Sequence, residues 1–205
     1  MGQYYFGFTE SKGGKRIAWN NPGGLKLMEH SYFGNEMVMQ MLKAIYKNPC
    51  RVGWVGDYAD DFYRWMKEDR PDFNNLDKIM DVFNYMYPEY GNRKRVYGDL
   101  LEGDDFYLIN HSKKEYYDLR KYLEGLKEEY ENEWDLYIHP LPMLTCIGND
   151  CGGGDYHKSV GINYEMVGYW FYDVISVEDK DYKIPDDYTD VTNAADYYFV
   201  EKQER

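Results

Sequence analysis

Short runs of β-prone residues lie near both ends of the chain, and through its middle apolar stripes at helical spacing alternate with compact apolar strands. Residues 3–9 and 16–19 read as the arms of a hairpin, joined by the turn sequence Ser11-Lys12-Gly13-Gly14, and Asn20-Asn21-Pro22-Gly23-Gly24 marks the next break. Met37, Met41, Ala44 and Ile45 recur at helical spacing, with Asn35 able to cap the start and Asn48-Pro49 to stop the helix. Cys50–Val55 reads as a buried strand ending in Gly56-Asp57. Two further helices are predicted over 60–68 and 75–86, the second carrying Leu76, Ile79, Met80 and Phe83 on one stripe. Phe106–Asn110 is a strand by composition. Tyr116, Leu119, Tyr122 and Leu126 place a helix over 113–131. Trp134–His139 reads as a strand closed by Pro140 and Pro142, and 167–177 as a long β-branched and aromatic strand; Tyr197–Val200 adds a candidate edge strand. This pattern predicts one α+β domain over 1–205, with a mixed, mostly antiparallel sheet and helices packed on one face. A polar stretch, 89–104, is the predicted flexible loop, and 180–205 an acidic tail.

Composition sharpens the picture. The 205 residues include 37 acidic and 24 basic side chains, a net charge of −13. Residues 1–50 are net +3, whereas 171–205 are net −6. A chain this acidic is repelled by phosphate backbones, which argues against direct nucleic-acid binding and leaves a basic protein partner electrostatically open. No apolar stretch approaches the roughly 18 residues of a membrane span, and MGQYYFGFTE lacks the basic and apolar parts of a signal peptide. A cytoplasmic location is the resulting expectation. The three cysteines, Cys50, Cys146 and Cys151, fit reduced thiols better than a disulfide framework. Twenty-four tyrosines contribute to an aromatic content of 19%. Tyrosine joins a large apolar body to a polar tip, so the excess suits half-buried positions and recognition surfaces.

Several segments together point to a known group. MGQYY, GLKLMEHSYFGNE at 24–36, RVGWVGDYAD at 51–60, YLINHSKKEY at 107–116, IHPLPMLT at 138–145, GGGDY at 152–156 and DVISVE at 173–178 resemble an uncharacterised family of bacterial and phage-associated proteins. The resemblance implies a bacterial or phage cytosolic origin and transfers no catalytic or binding residue.

The residues themselves offer two loops. Asp57, Asp60 and Asp61 come just after a predicted buried strand, where α/β proteins place ligand-binding groups; they can hold a divalent metal, or simply close the turn and cap the next helix. Ile147 to Ser159 is glycine-rich and can expose backbone N–H groups, but Lys158-Ser159 lacks the glycine spacing of a P-loop, and Asp155 repels an anion. His139, Cys146, Cys151 and His157 lack the close pair of a structural zinc site, so no cofactor is predicted, and a divalent metal is left only to the 57–61 carboxylates. The neighbours in His30-Ser31 and His111-Ser112 point to opposite faces of a strand, which speaks against either being a catalytic pair.

The leading expectation is a binding protein for a small polar, nucleotide-like ligand. Its pocket is drawn from Glu29, His30, Asp57, Asp60, His111, Lys113, Gly153 and Asp155, with Trp54, Tyr58 and Tyr156 stacking on the ligand. A metal-assisted hydrolase built on the same groups is a variant. The rival is an acidic, tyrosine-rich inhibitor or adaptor that blocks a basic protein surface.

Overall fold

The computed structural model describes residues 2–11, 16–20, 24–59, 101, 104–129, 137–156 and 164–192. Strands β1 (Tyr5–Glu10) and β2 (Arg16–Asn20) form the anticipated antiparallel hairpin. Helices α1 (Leu27–His30) and α2 (Glu36–Ile45) come next, then β3 (Cys50–Gly56). After these stand β4 (Phe106–Asn110), β5 (Glu115–Asp118), α3 (Leu119–Glu129), α4 (Pro140–Thr145) and β6 (Cys146–Ile147). A 3-10 turn over Tyr164–Met166 leads to β7 (Val174–Asp179) and β8 (Thr189–Asp190).

Seven strands run in the order β2-β1-β3-β7-β4-β5-β8, and β6 pairs with β3 beside this path. The pairings are antiparallel except β3 with β6 and β5 with β8. The protein is thus α+β with a mixed, mostly antiparallel sheet.

Register settles which face is the core. Alternation puts Cys50, Val52 and Trp54 of β3 on one side, level with Ile175 and Val177 of β7, Leu108 of β4 and Tyr117 of β5. These residues share one buried cluster with Met37, Val38, Met41, Leu42 and Ile45 of α2, with Leu119, Tyr122, Leu123 and Leu126 of α3, and with Leu141 and Leu144 of α4. Burying aliphatic and aromatic side chains stabilises by roughly 25 cal/mol per Å² of apolar surface, so this seam holds helices and sheet together. On the opposite face Phe8 and Phe171 pack where a side chain at Gly53 would stand. Asn35 caps α2 as anticipated, accepting hydrogen bonds from the N–H groups of Met37 (3.0 Å) and Val38 (3.4 Å).

Three expectations are corrected. The helix expected over 113–131 is strand up to Asp118. Asn110 Oδ1 accepts from the Ser112 and Lys113 N–H groups, and Lys114 takes a left-handed φ of 57°, so the chain reverses and β5 pairs back on β4. Of the strand expected over Trp134–His139, Ile138 makes an isolated bridge to Tyr32. His139 then caps α4, and Pro140 opens that helix rather than closing a strand, because proline's missing N–H is unneeded in a first helical turn. The long strand expected over 167–177 is a turn through Asp173, with positive φ at Gly168 (74°) and Tyr172 (62°), and is extended only from Val174. The helices expected over 60–68 and 75–86 and the strand at 197–200 lie outside the described residues, as do most of the 89–104 loop and the tail beyond 192. Among the described residues, no helix is long and apolar enough to cross a membrane.

Candidate functional site

At the end of β3 the chain builds a corner from four segments. The β1–β3 ladder pairs Tyr5 with Gly56, and one residue further the Asp57 N–H donates to Tyr4 O at 3.0 Å. Asp57 Oδ1 accepts from the Tyr4 N–H at 2.9 Å, so this carboxylate continues the ladder into the turn that Ala59 closes on Gly56. The loop after β6 lies against this corner. Asn149 staples the loop's two ends through Tyr156, its Oδ1 accepting at 2.8 Å and its Nδ2 donating at 3.0 Å. The carbonyl of Gly153 accepts from Gln3 N–H (3.2 Å) and that of Gly154 from Met28 N–H (3.1 Å), tying the loop to the N-terminal segment and to α1. Glycine is required for so close an approach: a Cβ at Gly152 would stand 2.5 Å from Gln3 Cβ and 2.9 Å from its backbone nitrogen.

Beneath the loop lies a concentration of buried polar groups. Gln3 is 0% exposed and Asp155 0%, both packed in the interior. Gln3 Oε1 and Nε2 and His139 Nε2 have no hydrogen-bond partner among the described residues, while the Tyr5 hydroxyl has only the Asp155 carboxyl to face and Ser31 Oγ only the Tyr156 hydroxyl. The Gln3 amide and the Tyr5 ring end both press on Gly56, where a methyl group would overlap Gln3 Nε2, and the Tyr5 hydroxyl stands beside the Asp155 carboxyl. Ser31 adjoins His139, whose N–H donates to Ser31 O at 2.8 Å. Asp155 Oδ2 accepts from Gly152 N–H at 3.0 Å, and the Cys151 N–H and Tyr5 hydroxyl also bear on this carboxyl. Burial holds its carboxyl above the usual aspartate range, and burial likewise raises the Tyr5 and Tyr156 hydroxyls. Leaving a buried donor or acceptor unmatched costs about 1–3 kcal/mol, so a cluster of this kind calls for an explanation.

The sequence-selected residues divide into three sets. Asp57, Tyr58, Gly153, Asp155 and Tyr156 gather at this corner, with Glu29 at its rim accepting from Lys26 N–H at 2.8 Å. Tyr58 is 40% exposed in the 56–59 turn; Tyr4, 42% exposed, alternates with Gln3 and Tyr5 and so points to the other side, and Leu25 O accepts from Tyr5 N–H.

Two others are core residues. His30 Nδ1–H donates to Lys26 O at 2.6 Å, and its Nε2 accepts from Trp54 Nε1–H at 2.9 Å, an arrangement that fixes the neutral tautomer. Burial lowers its pKa to about 4. Trp54 is 0% exposed, with its ring against Gly7, and does not wall a pocket as expected. Tyr156 is equally buried, which leaves Tyr58 as the accessible member of the expected aromatic trio.

His111 and Lys113 are elsewhere. His111 N–H donates to Val174 O, which places it level with Arg51 and Val52, about four residues or roughly 13 Å back along β3 and two strands across. Its Nε2 meets Ser176 Oγ at 2.9 Å on the face opposite the helices, and Lys113 pairs with Asp173 at 3.6 Å. Ser176 has the distance of a serine–histidine pair but is fully buried in β7, out of reach of a substrate. The neighbouring Ser112 Oγ instead accepts from Val174 N–H.

Asp60, Asp61 and His157 lie outside the described residues. Among the described residues no three His, Cys, Asp or Glu side chains group as metal ligands, and Cys50, Cys146 and Cys151 are thiols. Gln3 and Tyr5 are the innermost members of the corner, and the sequence pattern assigns them only to the hairpin. Their one legible signal is an amide opening an otherwise aromatic strand. No family model matches this chain, and no curated protein or solved structure matches it.

Proposed function

We propose that this protein binds a small polar molecule at the corner between residues 3–5, the 56–59 turn and the 148–156 loop. One observation carries the reading: both polar atoms of the buried Gln3 amide lack a partner, beside a Tyr5 hydroxyl and an Asp155 carboxyl that have little but each other to satisfy them. Native proteins leave few such atoms, and a ligand that supplies the missing partners recovers the desolvation penalty on binding. The glycine-rich loop supports this, because it packs on Gln3 through Gly152 and the Gly153 carbonyl while Gly153 stays exposed and Gly152 and Gly154 half-buried. The exposed ring of Tyr58 in the 56–59 turn supplies an apolar surface of the kind that ligand sites combine with a few fixed polar groups.

Equilibrium dialysis of the protein against a bacterial metabolite extract, read by mass spectrometry, tests the reading. The wild-type chain should retain a small molecule that Gln3→Leu does not. Retention of nothing by the wild type would overturn it. Capture of a basic protein instead, weakening steeply between about 50 and 200 mM salt, would transfer the function to the acidic aromatic surface.

A further inference from the structure

We infer that the ligand presents a protonated amine to Asp155, Gln3 and Tyr5; this rests on the binding reading above and names its chemical class. The inference begins with the contrast between two buried aspartates. Asp173 has Lys113 Nζ at 3.6 Å and accepts from Asn110 Nδ2 at 2.9 Å. Asp155 is at least as deeply buried and has no lysine or arginine partner among the described residues. Among the described residues Lys26 packs its methylenes on Gly154 and directs its ammonium to Glu29 at 3.7 Å, on the outside of α1. A buried carboxyl without a countercharge either keeps its proton or acquires a cation, since an isolated buried charge is strongly disfavoured.

The local donor and acceptor inventory selects the cation's form. The Tyr5 hydroxyl faces the Asp155 carboxyl, and Gln3 Oε1 stands unmatched in the same neighbourhood, so carboxylate, amide and hydroxyl oxygens all keep lone pairs for a further donor. A primary ammonium carries three N–H donors on a compact head, which fits that set, and bonds to the carboxylate are charge-assisted. Gln3 Nε2 remains as a donor for a carbonyl or hydroxyl elsewhere on the same molecule. A phosphate-bearing ligand suits the corner poorly: Asp150 and Asp155 both repel it, and no described lysine or arginine is turned inward to receive it. The exposed Tyr58 ring in the adjoining 56–59 turn adds to the match, because aromatic faces attract cations as well as apolar groups.

The test compares matched probes on the full chain. Ethanolamine, 1,4-diaminobutane and benzylamine are set against ethylene glycol, 1,4-butanediol and benzyl alcohol, each titrated at pH 7 with thermal unfolding as the readout. At least one amine should raise the midpoint and bind at least tenfold more tightly than its alcohol, and Asp155→Asn should remove that preference. Tyr5→Phe, which deletes one acceptor and leaves the carboxyl, should weaken the amine several-fold. The comparison on the wild-type chain stands by itself if Asp155→Asn does not fold. Alcohols binding as well as amines, no probe binding, or an amine preference that survives Asp155→Asn would overturn the inference. Dialysis separates the two levels: a retained neutral metabolite refutes the amine and leaves the binding function intact, whereas retention of nothing removes both.

Discussion

Acidification should weaken this protein through two buried histidines, and the size of the effect is set by their surroundings. His139 accepts from Leu141 N–H through Nδ1 at 3.0 Å, is sealed beside Phe33 with ring centroids 4.5 Å apart, and has its pKa lowered by burial to about 3. His30 is lowered to about 4, again chiefly by burial. An unfolded histidine titrates near 6.5. Between these values the unfolded chain binds protons that the folded chain refuses, so the native state loses stability as pH falls and regains it above about 6.5. At pH 5 each histidine contributes about 2 kcal/mol of destabilisation relative to pH 7, about 4 kcal/mol together, which is a large part of a typical domain's stability. Other groups titrate too. Asp179 and Asp187 are lowered by their lysine partners and Asp190 by its Thr192 and Lys121 contacts, adding to acid sensitivity, while burial raises Asp57 and Asp155 and acts the other way. A difference between variants isolates the histidine. His139→Asn retains a side-chain oxygen to cap α4 but cannot titrate. Urea unfolding monitored by tryptophan fluorescence at pH 7, 6 and 5 should show the variant losing about 2 kcal/mol less than wild type across that range. Equal losses, or an imidazole that titrates near 6.5 by NMR in the folded protein, would refute the assignment.

Individual contacts set three further outcomes. Gln3→Leu replaces an unmatched buried amide by an apolar side chain of similar length, so urea unfolding should show stability unchanged or raised by about 1 kcal/mol even as ligand retention is lost. Gly152→Ala forces a methyl onto Gln3, and the loop must lift; a destabilisation of about 1–3 kcal/mol, seen as a lower urea midpoint, should accompany weaker ligand retention. Asn35→Ala removes the acceptor for Met37 and Val38 at the start of α2 and should lower stability by about 1 kcal/mol without affecting ligand retention, which makes it the control for the other two.

How much the sequence discloses depends on how far apart the interacting residues are. The boundaries of α2 and β4 are readable because cap, stripe and stop all lie within a dozen neighbouring residues. The 115–118 segment misleads because its tyrosines continue the spacing of the helix behind it. In the fold Tyr117 belongs to the sheet, and the helical stripe starts at Leu119. Only β4, pairing across the turn that Asn110 stabilises, decides between the two. The corner obeys the same logic. Asp57, Gly153 and Asp155 stand out through their own loops, but Gln3, which gives those loops an interior, is joined to them by β1–β3 pairing and by a loop about 150 residues away. Chemistry alone draws His111 and Lys113 into the same pocket, and the insertion of β7 between β3 and β4 sends them to a different place and, for His111, to the other face. Asp155 and Asp173 make the point most sharply. Each is an aspartate beside a tyrosine, and although their loops differ, neither adjacent sequence tells which will receive a countercharge. A lysine delivered by the β4–β5 turn makes one a satisfied structural acid, and its lack among the described neighbours leaves the other as the group around which a ligand can be argued.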